Sequence, residues 1–168
     1  MAELTPSQTV GPFLHLALDD PALATPVSAD DPDVITVQGT VVDGDGAPVP
    51  DAVVETWQFG GPFARCTTDP EGTWSIRTRR PPAVATLDGT PQAPHLVVSV
   101  FARGLLDRVV TRIYFDGEPA NPADPVLAAV GARAARLVAH RQDDGAWRFD
   151  IRLRAGDGGE DESVFFVV

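Results

Sequence analysis

The sequence predicts an all-β fold: an antiparallel β-sandwich entered by an extended N-terminal arm, with one or two short helical turns. Three observations predict it. Among 168 residues, 16 Pro and 15 Gly leave little room for long helices. Several short segments alternate apolar and polar residues at period two, as half-buried strands do. These segments recur about every ten residues, separated by turn residues, with no strand–helix alternation. The length suits one domain over residues 1–168, made of an arm (1–33) and a sandwich core (34–168).

The arm is rich in Pro and Asp, and Pro6, Pro12, Pro21, Pro26 and Pro32 are expected to break any helix in it. Its run Thr9-Val10-Gly11-Pro12-Phe13-Leu14 is too apolar for a solvated tail, which predicts docking on the core. Val34 to Val42 is the first strand, with Ile35, Val37 and Val41 on one side and Thr36 and Gln38 on the other. Asp43-Gly44-Asp45-Gly46 closes it with a tight turn. A calcium loop is the other reading of that turn, but Pro48 and Val54 stand where such a loop needs Gly and Glu. Ala52 to Gln58 is a second strand, ended by Gly60-Gly61-Pro62. A turn over residues 67–72 leads to a third strand, Thr73 to Arg77. After the Pro81-Pro82 break and a polar loop come His95 to Ala102 and Val109 to Phe115. Val126 to Arg141 is Ala- and Arg-rich and carries the expected helical turns. Trp147 to Leu153 and Ser163 to Val167 complete the strands, with an acidic turn between them.

The charge balance excludes whole classes of partner. Net charge is −11, and the first basic residue is Arg65, with 10 of the 24 acids preceding it. Phosphate backbones and anionic lipid repel such a segment, so neither nucleic acid nor a membrane surface is expected as a partner. No stretch reaches the ~20 apolar residues needed to span a bilayer, and residues 1–20 lack a basic leader, so a cytoplasmic protein is expected. All 13 basic residues are Arg; the absence of Lys removes Schiff-base chemistry and the phosphate-loop lysine. Cys66 is the sole Cys, so no intramolecular disulfide forms.

Few residues suggest chemistry by themselves. No Ser lies in a nucleophile elbow, and His15, His95 and His140 are too scattered for a metal-ligand motif. Glu55, mid-strand beside Trp57, reads as a buried acid, or as one facing solvent or paired with an Arg. Arg103 follows the strand ending at Phe101 and precedes Gly104. A guanidinium at a strand end suits bidentate recognition of a carboxylate, although a plain surface Arg has the same sequence signature.

Together, a series of segments resembles the intradiol ring-cleavage dioxygenases. They are the arm from Thr5 to Phe13, the turn from Val42 to Val49, and Val54-Glu55-Thr56-Trp57-Gln58. They continue with Thr67 to Trp74, Ala93 to Leu96, Phe101-Ala102-Arg103-Gly104, Thr111 to Asp116, Arg148 to Arg152 and Ser163 to Phe166. The resemblance implies a β-sandwich and an active site in which two tyrosinates and two histidines hold Fe(III). Here the stretch Phe59 to Phe63 lacks the first Tyr, the second falls near Val84, and Val97 follows His95 where the second His is implied. The sole Tyr, Tyr114, lies in another element. One imidazole does not hold a hard ferric ion. The resemblance therefore implies a non-catalytic alpha subunit whose homologous beta subunit bears the iron. The complex is then expected to cleave protocatechuate with O2, giving 3-carboxy-cis,cis-muconate. By motif match, Thr9, Gly11, Pro12 and Arg103 would wall the substrate pocket. Phe13 departs from the Tyr of many relatives. A non-enzymatic β-sandwich binding module is the rival reading, and a neighbouring gene for an iron-bearing homologue would separate the two.

Overall fold

The computed structural model describes residues 5–11, 13–28, 30–86, 88–154 and 162–167. Its long strands fall where the alternation places them: β1 (Val34–Val42), β2 (Val53–Trp57), β4 (Thr73–Arg79), β7 (Leu96–Phe101) and β8 (Val109–Phe115); a short strand that the alternation does not indicate, β3 (Ala64–Thr67), lies between β2 and β4. Between β4 and β7 the loop folds into a small hairpin, β5 (Val84–Ala85) with β6 (Pro91–Gln92). After β8 come a helix α3 (Pro125–Val130) and a 3₁₀ segment (Gly131–Leu137). Three short strands follow: β9 (Val138–Arg141), β10 (Trp147–Arg148) and β11 (Ile151–Arg152).

β1 pairs antiparallel with β4 from Val34↔Arg79 to Thr40↔Thr73. From β1 the ladder runs through β10, β9, β8, β7 and β2 to β3, and β3 comes back beside β4, so the sheet nearly closes like a barrel. Most pairings are antiparallel, but β1 runs parallel to β10 and β11, and β8 runs parallel to β9. The sheet is therefore mixed, and the expected all-antiparallel arrangement is corrected. The chain crosses over through α3 between β8 and β9, and a crossover is what parallel neighbours require.

The expected strand over Trp147 to Leu153 is interrupted rather than continuous. Between β10 and β11 the Thr40 amide and hydroxyl both donate to Asp150 Oδ1, each at 2.9 Å, so a carboxylate replaces the ladder there. β1 can lie this close only because residue 39 is Gly; a Cβ there would collide with the Phe149 carbonyl. The expected strand over Ser163 to Val167 contributes a single bridge, Val110↔Phe166.

The arm is not wholly extended. It holds two short helices, α1 (Leu14–Leu18) and α2 (Pro21–Ala24). Pro21 starts α2 instead of breaking it, because the first helical turn needs no proline N–H. Asp20 caps that helix by accepting from the Ala22 amide at 3.0 Å. The arm does dock: Thr67 donates to Asp19 at 3.1 Å, and Asp31 pairs with Arg79 of β4.

Val37, Val41, Trp74 and Ile76 from β1 and β4 face Val54, Leu96, Val98, Val100, Ile113 and Phe115 in one buried core. Tyr114, Leu127, Leu137 and Val164 form a second cluster under α3. Arg80 spans a flank of the main core, its guanidinium 4.0 Å from the Phe115 ring and 4.9 Å from the Trp147 ring, with Glu118 as counter-charge at 3.1 Å. Among the described residues no helix is long and apolar enough to cross a membrane.

Candidate functional site

The turn leaving β7 gathers the candidate binding residues. Gly104 adopts a φ of 86°, which turns the chain sharply after Arg103. Its amide donates to Thr9 Oγ1 at 2.8 Å, so the arm is fastened directly onto the turn that carries Arg103. Thr9 and Arg103, 94 positions apart, thus belong to one surface. Gly11 continues that arm, exposed, with open space where a side chain would project. Pro12 lies outside the described residues. Beside the turn, Gln8 and Val10 of the arm face Phe101, Leu105, Leu106 and Arg108 across a cleft of about 350 Å³.

Arg103 is more than half exposed and forms an ion pair with Asp51, which precedes β2 and is largely buried. Sequence reasoning missed Asp51. Its signal was the spacing of the two strands, since an antiparallel pairing of the two segments brings their far ends together. Glu55 proves to be the paired acid: it meets Arg65 across the β2–β3 ladder at 2.6 Å.

His95 and Tyr114 are the nearest approach to an iron site, and they do not make one. His95 is buried just before β7, with Nδ1 2.8 Å from the Ala93 carbonyl. Burial pulls its pKa below the usual histidine value. Val97, two residues on, sits opposite Trp57 and Arg112. Tyr114 is fully buried, its ring 5.4 Å from that of His95. Its hydroxyl donates to Asp124 Oδ1 and accepts from Arg112 Nη1, both at 3.1 Å. Burial pushes the phenol up to about 12, the opposite of what a tyrosinate ligand needs. Among the described residues no three His, Cys, Asp or Glu side chains cluster. The donors present do not fit a ferric ion.

The buried phenol gives a direct pH prediction. Its folded pKa lies above its unfolded value of about 10, so the neutral phenol contributes stability below pH 10, and that contribution is lost as pH rises toward 12. Because Tyr114 is the only Tyr, ultraviolet titration reads it alone. Tyrosinate absorption is expected only near pH 12 or on unfolding; a midpoint near 10 in folded protein would show an exposed phenol.

The family model described as "Dioxygenase" matches residues 11–155. The chain is 36% identical over 195 aligned positions to the protocatechuate 3,4-dioxygenase alpha chain of Pseudomonas putida, covering 96% of this chain and 95% of that one. It is 38% identical to the corresponding alpha chain of Burkholderia cepacia, covering 98% and 97%. The protocatechuate 3,4-dioxygenase beta chain of Burkholderia cepacia is 29% identical over 73% of this chain and 65% of its own. Among solved structures, catechol 1,2-dioxygenase from Acinetobacter sp. ADP1 superposes with a TM-score of 0.60 at 19% identity, over 76% of this chain. The match spans 55% of that catechol dioxygenase, and it supports the shared fold.

Proposed function

The chain belongs to the intradiol dioxygenase family, and from that membership we propose that it is the non-catalytic alpha subunit of a cytoplasmic protocatechuate 3,4-dioxygenase. The observation that carries the reading is a near full-length match to alpha chains, in both directions, by a chain in which the donors among the described residues do not fit iron. Members of the family depend on iron. In this proposal a homologous beta subunit holds Fe(III) and carries out ring opening with O2. The similarity to a beta chain supports a partner built on the same fold.

This chain's contribution is recognition. Arg103 faces the ring carboxylate of protocatechuate, the one feature that distinguishes this substrate from plain catechol. Thr9 holds the arm against the Arg103 turn, while Gly11 and Pro12 extend the wall. Gly11 leaves room for a flat ring to approach the backbone. Residues 1–168 act as one unit, the arm (1–33) serving the pocket and the rest (34–168) carrying it.

Purification with and without the partner tests the proposal. The chain alone is expected to be colourless, with iron far below one per chain, because it supplies no tyrosinate pair. Co-expressed with the beta subunit, it is expected in a coloured complex that consumes O2 with protocatechuate. Stoichiometric iron and visible absorption in the isolated chain would overturn this assignment.

A further inference from the structure

Asp51 and Arg103 stand across from each other at the open end of the β2–β7 ladder. The register opposes Glu55 to Ser99 and Val53 to Phe101. Carried past the last bonded pair, it opposes residue 51 to residue 103, on the same side of the sheet. The structure makes that pair: Arg103 Nε meets Asp51 Oδ2. The Asp51 side chain is 12% exposed and that of Arg103 is 57% exposed, so the anchor is fixed and the fork is open.

We propose that Asp51 is the positioning residue of the substrate site, holding Arg103 by Nε so that Nη1 and Nη2 remain as a fork for the ring carboxylate. The inference rests on the reading of Arg103 as the counter-charge to that carboxylate. A guanidinium offers five N–H donors in a rigid plane, and engaging Nε leaves the four terminal ones. The contact with Asp51 is a charge contact made on the Nε edge of the guanidinium, and the side chain is otherwise 57% exposed. The turn is held from its other side as well, where the Gly104 amide donates to Thr9. An arginine drawn to one side in this way gives up less rotamer freedom on binding. Asp51 also offsets part of the Arg103 charge, which by itself would weaken carboxylate binding. The two effects have opposite signs, so one measurement separates them.

The test uses the iron-loaded complex and steady-state O2 uptake with protocatechuate and with catechol. Asp51→Ala is expected to raise KM for protocatechuate about 10-fold with kcat within about twofold. The ratio of kcat/KM for protocatechuate over catechol should fall to match. Asp51→Asn, which keeps one acceptor oxygen, should recover part of the loss. In an Arg103→Ala background, Asp51→Ala should change nothing further, because the two act as one unit. An unchanged or lowered KM in Asp51→Ala, beside a carboxylate-selective loss in Arg103→Ala, would overturn the positioning role and leave the Arg103 reading standing. Equal losses on both substrates in Asp51→Ala would mark a purely structural ion pair. If Arg103→Ala does not distinguish the two substrates, the Arg103 reading falls and takes this inference with it.

Discussion

Replacing Arg103 with alanine in the iron-loaded complex is expected to cost about 2–5 kcal/mol in transition-state binding of protocatechuate, or about 30- to several-thousand-fold in kcat/KM. In the isolated chain the side chain is more than half exposed, a setting in which an ion pair contributes little. The large effect requires the partner subunit to cover the turn and exclude water, which strengthens a charge-assisted fork. Selectivity is therefore the signature. Protocatechuate should suffer heavily, whereas catechol, which lacks the carboxylate, should be turned over about as poorly as before. Arg103→Lys should recover only part of the loss, because an ammonium cannot present two parallel N–H donors. The measurement is O2 uptake with both substrates at verified iron content. Equal losses on both would assign Arg103 to holding the structure together, and no loss on either would return it to an ordinary surface residue.

Asp124→Ala is expected to destabilise the subunit by about 3–5 kcal/mol, the largest single effect on folding foreseen here. Asp124 is 1% exposed and serves four donors at once. Its Oδ2 accepts from the Ala93 amide at 2.8 Å. Its Oδ1 accepts from the Tyr114 hydroxyl at 3.1 Å and from the Val126 and Leu127 amides at 2.8 and 3.0 Å. One carboxylate thus caps α3, anchors the segment before β7 and satisfies a buried phenol. Removing it strands those donors away from water, and each stranded group costs about 1–3 kcal/mol. For a chain of this size the apparent unfolding midpoint should fall roughly 6–20 °C. Asp124→Asn keeps an acceptor oxygen and should lose about half as much. Thermal unfolding followed by tryptophan fluorescence checks both variants, and a shift of about 1 °C in Asp124→Ala would show that the network relaxes onto water.

The sequence foretold the parts of this fold that depend on local pattern. Alternation located β1, β2, β4, β7 and β8 to within a few residues, because one face of each is buried and the other is not. The turns after β1 and before β4 were legible in Asp43 and Asp69, whose carboxylates accept from Asp45, Ala47, Glu71 and Thr73 amides as turn residues do. The prolines of the arm misled, since Pro21 reads the same whether it breaks a helix or begins one. β3 and β9 are four residues each, too short for period two to stand out, and are strands only because β2 and β8 lie beside them.

The candidate site divides in the same way. Arg103 at a strand end could be read from residue types in order, and the missing Tyr and His ligands were implied by the family resemblance of the segments around them. That Thr9 would fasten the arm beside Arg103, that Asp51 would pair with its guanidinium, and that Asp124 would accept from the buried Tyr114 hydroxyl could not. Residue type and spacing follow from the chain alone, because they act through neighbours a few bonds away. Parallel pairing, a shared carboxylate and the meeting of residues 9, 51 and 103 arise only when distant segments are packed together, since their partners are chosen by burial and register rather than by sequence neighbourhood.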